Sequence, residues 1–358
     1  MNSNRINSNP ALSICIPTFN RVNHLSKLLL DIEIILNRWP NEIEVCISNN
    51  CSDDGTNELL KNFSQYSNIQ YKTQIRNIGA AKNIIEVCKN SKGKWMLLVG
   101  DDDRIDINAL GGLLSNLELA IDSTWIILES ISGQKKIERK LPTICRVYTS
   151  QFPKLTALKF GATYLGFMGL HVIPREAVNS NLLLSAEDMY GFPYLAWFFN
   201  HAARNQKISK FSSPIIIQSA GELALFWPTK DIASIFYKFT LMSLNIYRKS
   251  KVSKGFLFLM TLRQLYSFHG FAFNISWKLK DPAEFNSNIV EINSNFYKEL
   301  NNFRIFTAPH SFIIWSIKIL PLKFFKIMLP SKVLKHMYEL HQRETKMSCE
   351  NNGVSRGL

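Results

Sequence analysis

Residues 95–106 read WMLLVGDDDRID. Trp95 to Val99 make an apolar run of the length and composition of a buried strand, and it stops abruptly at Asp101, Asp102 and Asp103. Three adjacent carboxylates at a strand end repel one another unless a cation stands among them. Hard divalent cations take oxygen ligands, and Mg²⁺ commonly binds one or two carboxylates while water and substrate phosphates fill its other positions. In open α/β sheets, ligands bind beyond the carboxyl ends of the strands. One reading is therefore a metal–diphosphate site. The other is an acidic turn in which Asp103 or Asp106 caps a helix starting near Ile107. The segment alone leaves both open.

Upstream the same pattern repeats. LSICIPTFNR (12–21) reads as a strand, followed by Leu25, Leu28, Leu29, Ile32 and Leu36 at helical spacing. EIEVCIS (42–48) is a second strand running into the polar turn NNCSDDGT and a helix around 58–63. NIQYKTQ (68–74) is a third, followed by RNIGAAKNI (76–84) and a helix through Val87. Strand and helix thus alternate up to the aspartates, which predicts a parallel sheet with right-handed crossovers and every strand-to-helix turn on one edge.

Taken together, IPTFNR (16–21), SNNCSDDGT (48–56), RNIGAAKN (76–83) and LLVGDDD (97–103) resemble glycosyltransferase family 2, the inverting nucleotide-sugar transferases of the GT-A fold. The resemblance covers roughly 12–225, most strongly up to about 110. The DDD form, the length and the basic tail look like bacterial enzymes that build O-antigen or capsule, including the abequosyltransferase type. It implies an α/β GT-A mixed sheet flanked by helices, a nucleotide-sugar donor, Mg²⁺ or Mn²⁺, and a saccharide acceptor linked to polyprenyl diphosphate. It places Pro17, Thr18, Asn20 and Arg21 around the donor. Asn49 falls where many members carry a base-binding aspartate. An amide both donates and accepts where a carboxylate only accepts, so the base need not be uracil. The family's DXD motif maps onto Asp101 and Asp103, with Asp103 on the metal and Asp101 and Asp102 serving ribose and metal.

Arg76, Asn77, Gly79 and Lys82 would lie on the diphosphate side, although Arg76 and Lys82 are by default ordinary surface cations. Gly79 permits a backbone closed to other residues. Inverting transfer needs a base for the acceptor hydroxyl proton. Family members place it in a later acidic pair, here Glu187 and Asp188 of SAEDMYGFP (185–193), with Asp188 ahead. The plain alternative is an acidic start to a helix. His171, in FMGLHVIP (167–174), is a weaker candidate, since a lone histidine in a buried strand is more often a core residue.

Further along, 124–132, 166–174 and 212–220 read as strands, 133–140 as a charged turn or hairpin, 192–203 as a helix and 232–273 as two helices. The expected domains are a flexible N-terminus (1–11), the catalytic domain (12–225), a basic helical region (226–345) and a disordered tail (346–358). The six cysteines show no CxxC or metal spacing, and MNSNRINSNP has no apolar core of a signal peptide, so the expected setting is the reducing cytoplasm. Residues 227–358 carry 19 Lys and Arg against 8 Asp and Glu, which is +11 of the net +14. Within them, 311–338 interleaves aromatic and aliphatic residues with Lys318, Lys323, Lys326, Lys332 and Lys335, and Pro321 and Pro330 interrupt it. That is too broken to span a bilayer. It reads either as an interfacial element on the anionic inner face of the bacterial inner membrane or as a helical face packed on the catalytic domain. No nucleic-acid motif accompanies the charge. A nucleotide-sugar-binding or scaffolding protein of the same fold, without transfer activity, is the other function class.

Overall fold

A computed structural model describes residues 9–118, 120–121, 123–132, 147–178, 184–218, 229–266, 274, 278, 282–300, 309–314 and 319. The first half is the alternation expected: β1 (Leu12–Thr18), α1 (Val22–Arg38), β2 (Ile43–Asn49), α2 (Thr56–Lys61), β3 (Ile69–Thr73), α3 (Ala80–Asn90) and β4 (Trp95–Leu98). After the aspartates come β5 (Arg104–Ile105), a two-residue strand not anticipated, and α4 (Ile107–Leu117). β1, β2 and β4 are buried on both faces, which is why β4 reads as a continuous apolar run and β1 and β2 are mostly apolar. α1 turns Leu25, Leu28, Leu29, Ile32, Ile35 and Leu36 onto the sheet.

β6 (Trp125–Ser132), β7 (Val147–Thr149), α5 (Pro153–Leu165), β8 (His171–Pro174), α6 (Arg175–Val178), α7 (Pro193–Ala203) and β9 (Ile208–Gln218) complete the sheet half. The described strands form one sheet in the order β3-β2-β1-β4-β8-β6-β9-β5, with β7 also on β9. β3, β2, β1 and β4 are mutually parallel. β8 runs antiparallel to both β4 and β6, so the sheet is mixed. The expected strand at 166–174 begins only at His171, because Met168–Leu170 forms a 3₁₀ turn. β9 carries Pro214 opposite Glu129 where the β6–β9 register shifts, and a proline without an N–H fits such a break.

Then follow α8 (Thr229–Lys249), α9 (Lys254–Leu265) and α10 (Pro282–Glu299). The chain divides into two compact units, Met1–Ala220 with Met242–Met260, and Gly221–Leu241 with Thr261–Leu358. This differs from a single boundary at 225/226: the second half of α8 and the start of α9 return to the first unit. The charged turn at 133–140, almost all of 311–338 and the tail at 346–358 lie outside the described residues. Among the described residues no helix is long and apolar enough to cross a membrane. Cys15, Cys46, Cys51 and Cys88 are free thiols, the first two buried in β1 and β2.

His171 belongs to the core. It is fully buried, Nε2 lies 2.8 Å from the Leu165 carbonyl, and Trp125 and Tyr194 pack on its ring at 5.6 and 4.9 Å. His201 of α7 also packs on Trp125, at 5.6 Å, with Nε2 2.9 Å from the Lys207 carbonyl. Burial pushes both imidazoles down to about 4, the carbonyl contacts offsetting only part of it. Because the unfolded chain takes up these protons near pH 6.5, their stabilising contribution is full above that value and is lost as pH falls toward 4. Asp101 acts in the opposite sense. Burial raises it to about 6, so it favours folding more as pH falls over much the same window. Two histidines outweigh one aspartate, each shift being on the order of 3 kcal/mol. The urea midpoint should therefore fall between pH 7 and pH 4.5, with a shallower slope in His171→Gln. Equal slopes would mean that His171 is charged in the folded protein.

Candidate donor site

Four turns meet at the carboxyl ends of β3, β2, β1 and β4. Backbone bonds align them: Asn50 N–H donates to the Thr18 carbonyl, Gln74 N–H to Asn49 and Val99 N–H to Cys15. Side chains then tie turn to turn. Asn20 adopts φ 52°, a left-handed conformation that asparagine tolerates. Its N–H donates to Ser52 Oγ, and its Oδ1 accepts from Asp53 N–H. Asp54 accepts the Val22 N–H, capping α1 from outside the helix, and also takes Thr56 Oγ1 at 2.5 Å. Asn50 joins the second turn to the third through Asn77 Oδ1 and the Ile78 N–H. Buried Asn83 of α3 accepts from Ser48 Oγ and donates to the Ser48 and Thr18 carbonyls. Gly79 stands at φ 83° just before α3, a region closed to most side chains.

The aspartates sit in the middle of this edge. Thr18 Oγ1 donates to Asp101 Oδ2 at 2.8 Å, and Arg21 Nη1 reaches Asp101 Oδ1 at 3.3 Å and Asp102 Oδ2 at 2.8 Å. Burial raises the Asp101 carboxyl to about 6 even though Arg21 and Thr18 oppose it. Asp103 is 2% exposed. A Cβ at Gly100 would stand 2.9 Å from Asp102 Oδ1 and from Asp103 Oδ2, so only glycine leaves these carboxylates where they are. Asp106 provides the helix cap: its Oδ1 accepts the Asn108 and Ala109 N–H groups at 3.1 Å. The two readings of the motif therefore fall on different residues. Asp106 caps the helix, and Asp101–Asp103 form a separate turn.

Among the described residues, no three His, Cys, Asp or Glu side chains form a closed metal cage. Two buried carboxylates beside a side-chain-free glycine do fit a hard cation bound in the Mg²⁺ manner, through one or two oxygens with the rest left to phosphates. Asp103 and Asp101 are the groups that would hold it.

The other expected donor residues divide. Asn49 is fully buried. Its Nδ2 donates to Asn57 Oδ1 and its Oδ1 accepts the Ser52 N–H, so both ends of the amide help to shape the turn. Arg21 is committed to the aspartates and orients them. Pro17 is half-buried, and Arg76 and Asn77 are exposed on the third turn. Lys82, in the first turn of α3, pairs with Glu187 at 2.6 Å. Ile78, Lys82, Ile85, Leu184, Met189 and Trp197 are among the residues lining a cavity of about 620 Å³.

Glu187 and Asp188 open a 3₁₀ turn, Glu187–Met189. Asp188 Oδ2 accepts from Ser185 N, Ser185 Oγ and Lys249 Nζ, and Ser185 Oγ accepts the Asp188 N–H in return. That is a reciprocal capping box closed by an ion pair. Among the described residues, Oδ1 has one long contact, Asn245 Nδ2 at 3.4 Å. Burial raises the Asp188 carboxyl, but Lys249 and Ser185 outweigh it and hold the group below the usual range. Glu187 is exposed and held low by Lys82. Three residues that sequence reasoning passed over also matter here: Asn50, Asp54 and Asn83. The first two lie inside the quoted NNCSDDGT turn, so type and place were visible but not their hydrogen-bond partners.

The glycosyl transferase family 2 model matches residues 13–179. The abequosyltransferase RfbV of Salmonella typhimurium is 32% identical over 113 residues, 31% of this chain and 34% of that relative, so the match spans about a third of the relative's length. The solved structure of S. aureus TarS 1–349 superposes with a TM-score of 0.55 at 15% identity, covering 80% of each chain. Its complex with UDP-GlcNAc gives 0.54 at 16% identity over 80% of this chain and 81% of that one. These structures share the fold, which is GT-A. Residues 13–179 belong to glycosyl transferase family 2.

Proposed function

We propose that the protein is an inverting glycosyltransferase that moves a sugar from a nucleotide-sugar donor to a saccharide acceptor, lipid-linked, in the assembly of a bacterial surface polysaccharide. The observation that carries the reading is the turn at Gly100–Asp103. Buried Asp101, oriented by Thr18 and Arg21, and buried Asp103 stand at the carboxyl end of β4 beside Gly100, where a Cβ would crowd the Asp103 carboxylate. A divalent cation bound there would offset the charge that builds on the departing diphosphate. The RfbV match supports the polysaccharide setting, and the family supports inversion.

The chain's own residues supply the rest. The acceptor hydroxyl oxygen bonds to the anomeric carbon as the bond from that carbon to the diphosphate breaks, its electron pair leaving with the phosphate oxygen. The hydroxyl proton passes to Asp188 Oδ1, which among the described residues meets Asn245 Nδ2 at 3.4 Å while Oδ2 is fixed by Ser185 and Lys249. Lys82 and Arg76 face the leaving group as cations. A panel of nucleotide sugars with Mn²⁺ or Mg²⁺ tests the reading through release of nucleoside diphosphate, which an active transferase leaks by hydrolysis. Tight donor binding without release from any donor would instead support a nucleotide-sugar-binding protein.

A further inference from the structure

Helix α1 presents an apolar face to the sheet, broken by one carboxylate. Asp31 is 6% exposed, between Leu28 and Ile35 on that face. A buried carboxylate is costly unless it is paired and fully hydrogen-bonded. Asp31 is both: Oδ2 accepts Arg104 Nε at 2.6 Å and the Ile105 N–H at 3.0 Å, and Oδ1 accepts Arg104 Nη2 at 2.5 Å. An apolar pair would fill the same space at little loss of stability. What a two-pronged guanidinium–carboxylate pair adds is a fixed distance and orientation.

The position it fixes is the downstream end of the aspartate turn, because Arg104 follows Asp103 directly. The upstream end is held by Arg21, the residue just before α1, through Asp101 and Asp102. Arg21 and Asp31 are ten residues apart on or beside one helix, about 15 Å at 1.5 Å per residue. A single rigid element therefore references both ends of the turn. Asp103 N–H closes it on the Gly100 carbonyl, and Asp106 N–H ties its exit to Ile215.

We propose that Asp31 is a positioning residue for the aspartate turn, setting where the Asp103 carboxylate stands. The inference rests on the reading of that turn as a metal–diphosphate site. The test is isothermal titration of the full chain with Mn²⁺ in the presence of CDP, UDP, GDP or dTDP, followed by the tightest pair in the variants. Asp31→Asn should weaken the Mn²⁺-dependent binding about 10–100-fold, the usual effect of losing a group that orients a metal ligand. Binding of the same nucleotide without metal should be unchanged, whereas a general loosening of the fold would lower both. Arg104→Lys keeps the charge but not the fork, and should shift binding in the same direction by less. It decides the matter if Asp31→Asn does not fold. Wild-type binding with unaltered affinity in the folded variants would overturn the inference alone. No Mn²⁺-dependent binding by the wild type would overturn the metal–diphosphate reading and the inference with it.

Discussion

Asp103→Asn should lower sugar transfer by about 10²–10³-fold, the scale on which loss of one preorganised electrostatic group acts. The fold should survive. Asparagine keeps the side-chain volume, and the change removes one negative charge from three adjacent ones, so the melting temperature should hold or rise. The loss should appear as weaker dependence on added Mn²⁺ or Mg²⁺, and excess chelator on the wild type should reproduce it. Asp101, which would share the cation, is itself tied to Thr18 and Arg21, and Arg21 holds Asp102, so neither makes up the ligand lost at 103. Full wild-type turnover in excess chelator would remove the cation from the mechanism and reduce the turn to a structural feature.

Asp188→Asn should reduce turnover by about 10²–10⁴-fold, the usual worth of a positioned general base, with donor affinity unchanged. An asparagine at 188 still offers a carbonyl to the Ser185 donors, so the 3₁₀ turn should persist. Lys249 loses its partner but is 42% exposed, and an ion pair of that kind contributes little. Glu187→Gln is the control. Its carboxylate is exposed and paired to Lys82, so the larger loss should fall on 188. Near-normal turnover in both variants would make the pair a helix-capping device and place the base elsewhere.

The parallel half of the sheet was legible because each of its strands is a short β-prone run closed by a polar turn, and that pattern depends only on local sequence. The aspartates were legible for the same reason. Asn49 was not. Its place in the motif suggested a base contact; its hydrogen bonds within the turn, to Asn57 and Ser52, become evident only once the turn has closed. Asp31 lay unnoticed on an apolar helix face because its partner is 73 residues away. β5 was invisible because two residues carry no periodicity, and its existence depends on β9, more than a hundred residues later. His171 was read correctly as core, since burial beside Trp125 follows from an apolar strand.

The reversal of strand direction between β4 and β8 acts as a seam. On one side, four consecutive turns are stitched together by hydrogen bonds among residues that lie within the first 106 positions. On the other, β8 runs against β4 and meets it over only three paired positions before β6 and β9 return to the direction of β4. The far side can thus change in sequence and length while the hydrogen bonds that hold the four turns stay undisturbed.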